Sequence, residues 1–169
     1  MTIDYKIRLA SSGDAPAVTR LFRQSYPDLL PRDYDAALLR AALPLITTAQ
    51  PALLTSGTYY VAESDTGEIV GAGGWTDISP SRGVARAGEG HMRHVAVHPG
   101  HLRRGIARAI LARAETSARG FGLERLKCLS TLTAERFYAS VGFQRLGVID
   151  LTLAPGVHFP AVQMERVLA

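Results

Sequence analysis

The sequence predicts an α/β domain in which strands and helices alternate around one strand–turn–helix unit. Three observations carry this. Residues 90–119 (GHMRHVAVHPGHLRRGIARAILARAETSAR) run from a stretch with β-branched residues near its end, through Pro99-Gly100, into a long apolar-periodic segment. The interval from Val97 to the next strand at Leu126 has room for a helix, as a parallel crossover requires. At the other end of the chain, Ile3, Tyr5, Ile7 and Leu9 alternate with Asp4, Lys6 and Arg8, the pattern of a half-buried strand. With 169 residues, 47% apolar and 20% charged, the chain has an ordinary globular composition and predicts a single domain over 1–169.

After the first strand, Ser11 with Asp14 approximates a capping box. Val18, Leu21, Phe22 and Ser25 then share a helical face, predicting a helix over 14–25 that Pro27 and Pro31 break. Asp33–Leu43 predicts a second helix ended by Pro44. Pro51 interrupts the stretch 46–56, where Leu53-Leu54 forms at most a short helical turn. Thr58–Ser64 and Ile69–Thr76 predict two strands joined by a turn at Asp65–Glu68. Gly71, Gly73 and Gly74 look like a phosphate loop, but no helix follows; they predict a bulge or a close backbone contact. Asp77–Gly88 predicts a polar loop with Pro80, whose Arg82 and Arg86 are either solvated or contacts for an acidic ligand.

The central strand covers His91–Val97. From Gly105, apolar residues at Ile106, Ala109, Ile110 and Ala114 predict a helix, with Gly120 at its C-cap. Leu126–Ser130 predicts a short strand, Thr133–Val141 a helix ended by Gly142, and Leu146–Leu153 and Val162–Val167 the last strands. Residues 155–160 form a loop between those two. Arg103, Arg104, Gly105 and Arg108 gather where the long helix begins. The first N–H groups of a helix lack partners and carry the positive end of its dipole, and glycine lets a phosphate approach the backbone. An anion site is the functional reading of that cluster; a simple turn is the other.

The segment VAVHPGHLRRGIARAIL resembles the acyl-CoA signature V-x-P-x-x-[QR]-x-x-G-x-[GA] of the GNAT (GCN5-related N-acetyltransferase) superfamily, at Val97, Pro99, Gly105 and Ala107. Leu102 stands where Gln or Arg is usual. AERFYASVGF, residues 134–143, resembles the family's A-x-x-F-Y-x-x-x-G-F element; Thr131 occupies a position where Asn is common. The resemblance implies a mixed, mostly antiparallel central sheet flanked by helices, with a splayed parallel strand pair. It implies acetyl-CoA as cosubstrate, its pantetheine along Val95, Ala96 and Val97 and its pyrophosphate on the amides of Arg103, Arg104, Gly105, Ile106, Ala107 and Arg108. It also implies an acceptor entrance near Tyr26, Asp28 and Tyr34, and Tyr138 as the acid that protonates the departing thiolate. Dimers are frequent in the family.

Strict alternation along the central strand places Glu89, His91, Arg93, Val95 and Val97 on one face and Met92, His94 and Ala96 on the other. His91 falls where the histone-acetylating branch of the family has a catalytic glutamate, and imidazole titrates near neutrality. His91 is therefore the candidate base, with Glu89 one step outward; a polar residue at a cleft edge gives the same pattern. No metal-ligand spacing and no nucleophile elbow occurs, so direct transfer to a primary amine of a small molecule or peptide is expected, without an acyl-enzyme. The alternative is a non-catalytic CoA-sensing module on the same fold. The net charge of +4 is spread without a dense basic run or interleaved aromatics, which ranks nucleic acid low. The single cysteine, Cys128, excludes an intrachain disulfide and suits a reducing compartment; with no apolar run long enough to span a membrane, cytoplasm is expected.

Overall fold

Seven strands form one sheet, in the order β1-β2-β3-β4-β5-β7-β6. They are β1 (Tyr5–Leu9), β2 (Tyr59–Ser64), β3 (Ile69–Thr76), β4 (Glu89–Val97), β5 (Arg125–Thr131), β6 (Gln144–Ala154) and β7 (Val157–Val167). All neighbouring pairs are antiparallel except β4–β5. The computed structural model describes residues 5–79 and 83–168; Ile3, Pro80 and Arg82 lie outside them. The mixed, mostly antiparallel sheet with its one parallel pair is the architecture the resemblance implies.

The helices are α1 (Ala15–Leu29), α2 (Ala36–Ile46), α3 (Pro51–Leu54), α4 (Ile106–Gly120) and α5 (Glu135–Ser140). On one face of the sheet, Val18, Leu21 and Phe22 of α1 and Leu53 and Leu54 of α3 pack on Tyr59 and Val61. On the other, Ile106 and Ile110 of α4 cover Ala62, Val70 and Val97, while Leu111, Ala114 and Ala118 meet Trp75, Met92 and Leu126. Each fully buried aliphatic side chain contributes roughly 1.5–3 kcal/mol, so these two stripes set where the sheet lies.

α4 is helical because alanines dominate it and its apolar residues recur every fourth position. It lies close on β3 because that strand presents glycines. A Cβ on Gly71 would sit 2.6 Å from Ile106 Cγ2, and one on Gly73 3.0 Å from Ile110 Cγ2. A Cβ on Gly74 would run into the carbonyl of Thr58. Of the bulge or close contact that the sequence predicts, the glycine run is the close contact; the bulge lies opposite it on β4, where the β3–β4 register shifts between Ala72 and Gly74.

Several boundaries differ from the sequence reading. α1 continues through Pro27 to Leu29, and α2 through Pro44 to Ile46. A proline sacrifices one helical bond, but both fall in or near a last turn where buried neighbours hold the chain: Ser25 and Leu30 around the first, Ala42 and Thr47 around the second. α2 begins at Ala36 rather than Asp33, because the Asp35 carboxylate accepts from the amides of Ala37 (2.7 Å) and Leu38 (3.2 Å). Gly120 remains inside α4. The left-handed residue is Gly122 (φ +78°), with Leu123 N–H donating to Ala118 O and Gly122 N–H to Arg119 O, a Schellman closure. The predicted loop 155–160 shrinks to Pro155-Gly156, and β7 begins at Val157. There the Tyr34 hydroxyl donates to Pro160 O (2.6 Å), accepts from Leu132 N (2.8 Å), and its ring stacks on Phe159. Tyr34 is thus a tie between α2 and the β5–β7 end.

Gly74→Ala should cost at least about 2 kcal/mol, because the obstacle is backbone that cannot move aside. Gly67→Ala, left-handed at φ +85° but in open space, should cost about 1 kcal/mol from the dihedral alone. Urea midpoints of the two variants check the order.

Candidate active site

The parallel pair β4–β5 holds together over three residue pairs only: Glu89 with Arg125, Gly90 with Leu126, and His91 with Lys127. β4 then continues to Val97 beside β3, and β5 to Thr131 beside β7. The two strands part at His91. A cleft of about 120 Å³ opens at this place, lined among others by His91, Met92, Lys127, Cys128, Met164 and Arg86. A wider groove of about 500 Å³ beside Thr19, Arg20, Arg23 and Gln24 contains no acid, base or nucleophile.

His91 is buried (8% exposed) at the parting point. Glu89 stands one step outward, its carboxylate 3.6 Å from Lys127 Nζ across the parallel pair. Beyond His91 the strand bulges. His94 takes φ +41°, and His94-Val95 oppose the single residue Gly73. The bulge overturns the simple alternation of the sequence reading. Val95 joins Met92 in the core under α4, and Val97 packs on Ile106 and Ile110. His94 stacks on Phe22 of α1 at 5.3 Å, and Ala96 joins the same α1 core. A bulge adds one residue, so every side chain after it changes face.

The bulge is held by tyrosines. The Tyr59 hydroxyl donates to His94 O (2.7 Å), and the Tyr26 hydroxyl lies 3.5 Å from His94 Nδ1. Burial pushes the phenols of Tyr26 and Tyr59 above their ordinary value and pulls the His94 imidazole down to about 4, with nearby Arg93 adding to the latter. Tyr59 was not singled out from sequence; an aromatic in a strand of TYYVAES carries no sign of whether it will face a bulge. Asp28 is exposed on α1.

Tyr138, on α5, is 6% exposed and packs in one core cluster with Cys128 of β5. Burial holds the phenol well above its ordinary value and pushes Cys128 up to about 12. Cys128 lines the cleft on which His91 also opens, and Tyr138 packs in the core cluster that contains Cys128 and Met92. Thr131 accepts from Ala134 N (3.1 Å) and so caps the turn into α5.

At the far end of β4, His98 Nδ1 accepts from Gly100 N (2.9 Å) and shapes a single 3₁₀ turn, Pro99–His101. Arg103 (φ +62°) and Gly105 (φ +77°) are both left-handed, and Gly105 is the N-cap of α4. A Cβ on Gly105 would meet nothing within 4 Å. Arg103, Arg104 and Arg108 are exposed around it, and Leu102 is 40% exposed. The first amides of α4, those of Ile106, Ala107 and Arg108, precede the first helical donor, Ala109 N–H, which bonds Gly105 O. Among the described residues, no group of three or more His, Cys, Asp or Glu could hold a metal ion, and no helix is long and apolar enough to cross a membrane.

The sequence profile of the acetyltransferase (GNAT) domain matches residues 55–145. No curated protein sequence matches the chain closely. Among solved structures, the PaiA N-acetyltransferase of Thermoplasma acidophilum, in complex with coenzyme A, superposes with a TM-score of 0.75 at 13% identity, over 98% of this chain and 99% of that one. A GCN5-related N-acetyltransferase of Rhodopseudomonas palustris gives 0.72 at 20% identity, over 99% and 97%. N-acetylglutamate synthase of Neisseria gonorrhoeae, with coenzyme A and N-acetyl-glutamate, gives 0.65 at 21%, covering all of this chain and 36% of that one. At these identities the likeness is one of fold.

His94 stays neutral in the folded protein down to about pH 4, whereas the unfolded chain takes up its proton near 6.5. Between those values the unfolded state binds the extra proton, so stability falls as pH falls. The expected loss is about 2 kcal/mol across that window. His94→Asn, which tolerates the left-handed backbone without titrating, should flatten it; denaturant melts at pH 7, 5.5 and 4.5 check this.

Proposed function

The chain belongs to the GNAT acetyltransferase family, and on that premise we propose that it moves an acetyl group from acetyl-CoA directly to a primary amine of a small molecule or peptide. The observation that carries this reading is the parting of β4 from β5 at His91, with Cys128 lining the cleft that opens there. The coenzyme A held by two structural neighbours supports the same ligand here.

The residues fit that ligand. Gly105 leaves open space at the left-handed start of α4, and Arg103, Arg104 and Arg108 surround it with exposed cations. Amides and arginines together would take the pyrophosphate by charge-assisted bonds, while the β4 backbone at Val95, Ala96 and Val97 would pair with the pantetheine. Acetyl-CoA supplies the acyl group as an activated thioester.

His91 removes a proton from the acceptor's ammonium, directly or through a water, with Glu89 outward of it. Close placement of the amine against the acyl carbon supplies much of the acceleration. The new N–C bond forms as the C–S bond breaks, and Tyr138 gives its hydroxyl proton to the sulfur. A phenol held above its ordinary value stays protonated at neutral pH, which suits a donor and not a base. Cys128 reports what this spot does to a thiol: burial lifts it to about 12. A coenzyme thiolate leaving into the same burial would be raised by the same cause, which favours its taking the phenol's proton. The free thiol of Cys128 also suits a reducing compartment, which favours the cytoplasm.

An amine panel with acetyl-CoA, read by free thiol, tests the reaction; turnover of any amine above hydrolysis is expected. Tight coenzyme binding without turnover would instead favour a sensing module. Tyr138→Phe should lower kcat about 10²-fold while leaving the acetyl-CoA KM within about threefold. His91→Gln should remove the acidic limb of the kcat/KM profile; an unaltered limb, abolished instead by Glu89→Gln, would move the base to Glu89.

A further inference from the structure

Arg93 is the unusual cation of this protein. Half-buried lysines and arginines among the described residues otherwise have carboxylates: Arg8 with Asp14 and Glu63, Arg125 with Glu165, Lys127 with Glu89, Arg166 with Glu115. Arg93 is half-buried as well, yet no carboxylate among the described residues pairs with it. Its Nη1 donates to Thr76 Oγ1 on β3 (3.1 Å), and the phenol of Tyr59 is its other electrostatic neighbour. Burial without a counter-charge pulls its pKa below the usual arginine value.

The placement gives this cation a use. Thr76, which Arg93 reaches, is the β3 partner of His91, so the guanidinium turns back along the sheet towards the candidate base. Arg86, which no carboxylate among the described residues pairs with, lines the same cleft as His91. Glu89 is taken up by Lys127. The approach to His91 is therefore net positive and repels a second ammonium on the acceptor. A guanidinium with one N–H on Thr76 keeps the rest of its fork for a planar anion.

Resting on the acetyltransferase reading, we propose that Arg93 binds the carboxylate of the acceptor, which is a small amino carboxylate of the amino-acid type. The carboxylate supplies the missing counter-charge and holds the amine at His91. Arg93 then sets KM and selectivity, and it takes no part in proton transfer.

The test compares free amino acids with their carboxamides, which keep the skeleton and lose the charge. The amine of an amide sheds its proton more readily, so preference for the acid is not a basicity effect. The wild type should favour the acid at least tenfold in kcat/KM. Arg93→Gln should raise the KM for the acid about tenfold or more, bring the acid-to-amide ratio near one, and leave the acetyl-CoA KM unmoved. Arg93→Lys should restore part of the preference. Turnover of neutral amines or polyamines as efficient as that of amino acids would overturn the inference and leave the enzyme reading standing. Should no amine turn over, calorimetry of the amino acids on coenzyme-loaded protein decides this point separately. Binding weakened tenfold in a folded Arg93→Gln supports the inference, and no binding, or equal binding, overturns it.

Discussion

β4 keeps β3 along its length but loses β5 after His91, and the candidate site is arranged around that one-sided loss. A central strand normally fills both rows of its hydrogen-bonding groups, since a buried unpaired amide costs about 1–3 kcal/mol. β5 leaves because it is held by β7 through seven consecutive pairs, from Arg125 with Val167 to Thr131 with Ala161. β4 is held from the other side by β3, and from below by α4. Two half-sheets diverge from a common hinge of three pairs, and one core of Trp75, Met92, Leu126 and Met164 under α4 bridges them.

The bulge at His94 belongs to the same constraint. It breaks the β3–β4 register opposite Gly73, turns His94 towards α1 and Val95 towards α4, and is stabilised by Tyr59 bonding the His94 carbonyl. Glycine in β3 is needed twice here. Gly73 tolerates the displaced Val95, and Gly71 admits Ile106, so the helix whose N-terminus forms the anion turn lies directly on the strands that part. Packing density under α4 and geometry at its first turn are therefore one problem solved by one glycine run.

Charge is distributed unequally over the two sides of this arrangement. Under the sheet, Tyr138 and Cys128 share one buried core, and that burial raises both groups and keeps them protonated. On the α1 side, Tyr26 and Tyr59 are phenols raised by burial and His94 is a neutral imidazole. Charged side chains stand at the cleft itself, at Arg86 and the Glu89–Lys127 pair, with Arg93 two residues beyond His91 on β4. Low dielectric behind and cations in front favour a neutral nucleophile reaching the interior and an anion remaining at the rim.

The sequence by itself determined the order of the elements, the strand–turn–helix unit and the presence of Gly105, His91 and Tyr138. Each of these is written in local terms: alternation, a 3.6-residue period, glycine after a proline-stopped strand. It could not place Val95 or His94, because a bulge is a decision between two strands and shifts every later side chain. Nor could it foresee that helices would pass through Pro27 and Pro44, where burial of neighbours outweighs the lost bond. Tertiary structure alone decided that Cys128 would share a core with Tyr138, that Tyr59 would hold a carbonyl of β4, and that Arg93, among the described residues, would be the half-buried cation left without a carboxylate. Such pairings join residues far apart in the chain, and no local period records them.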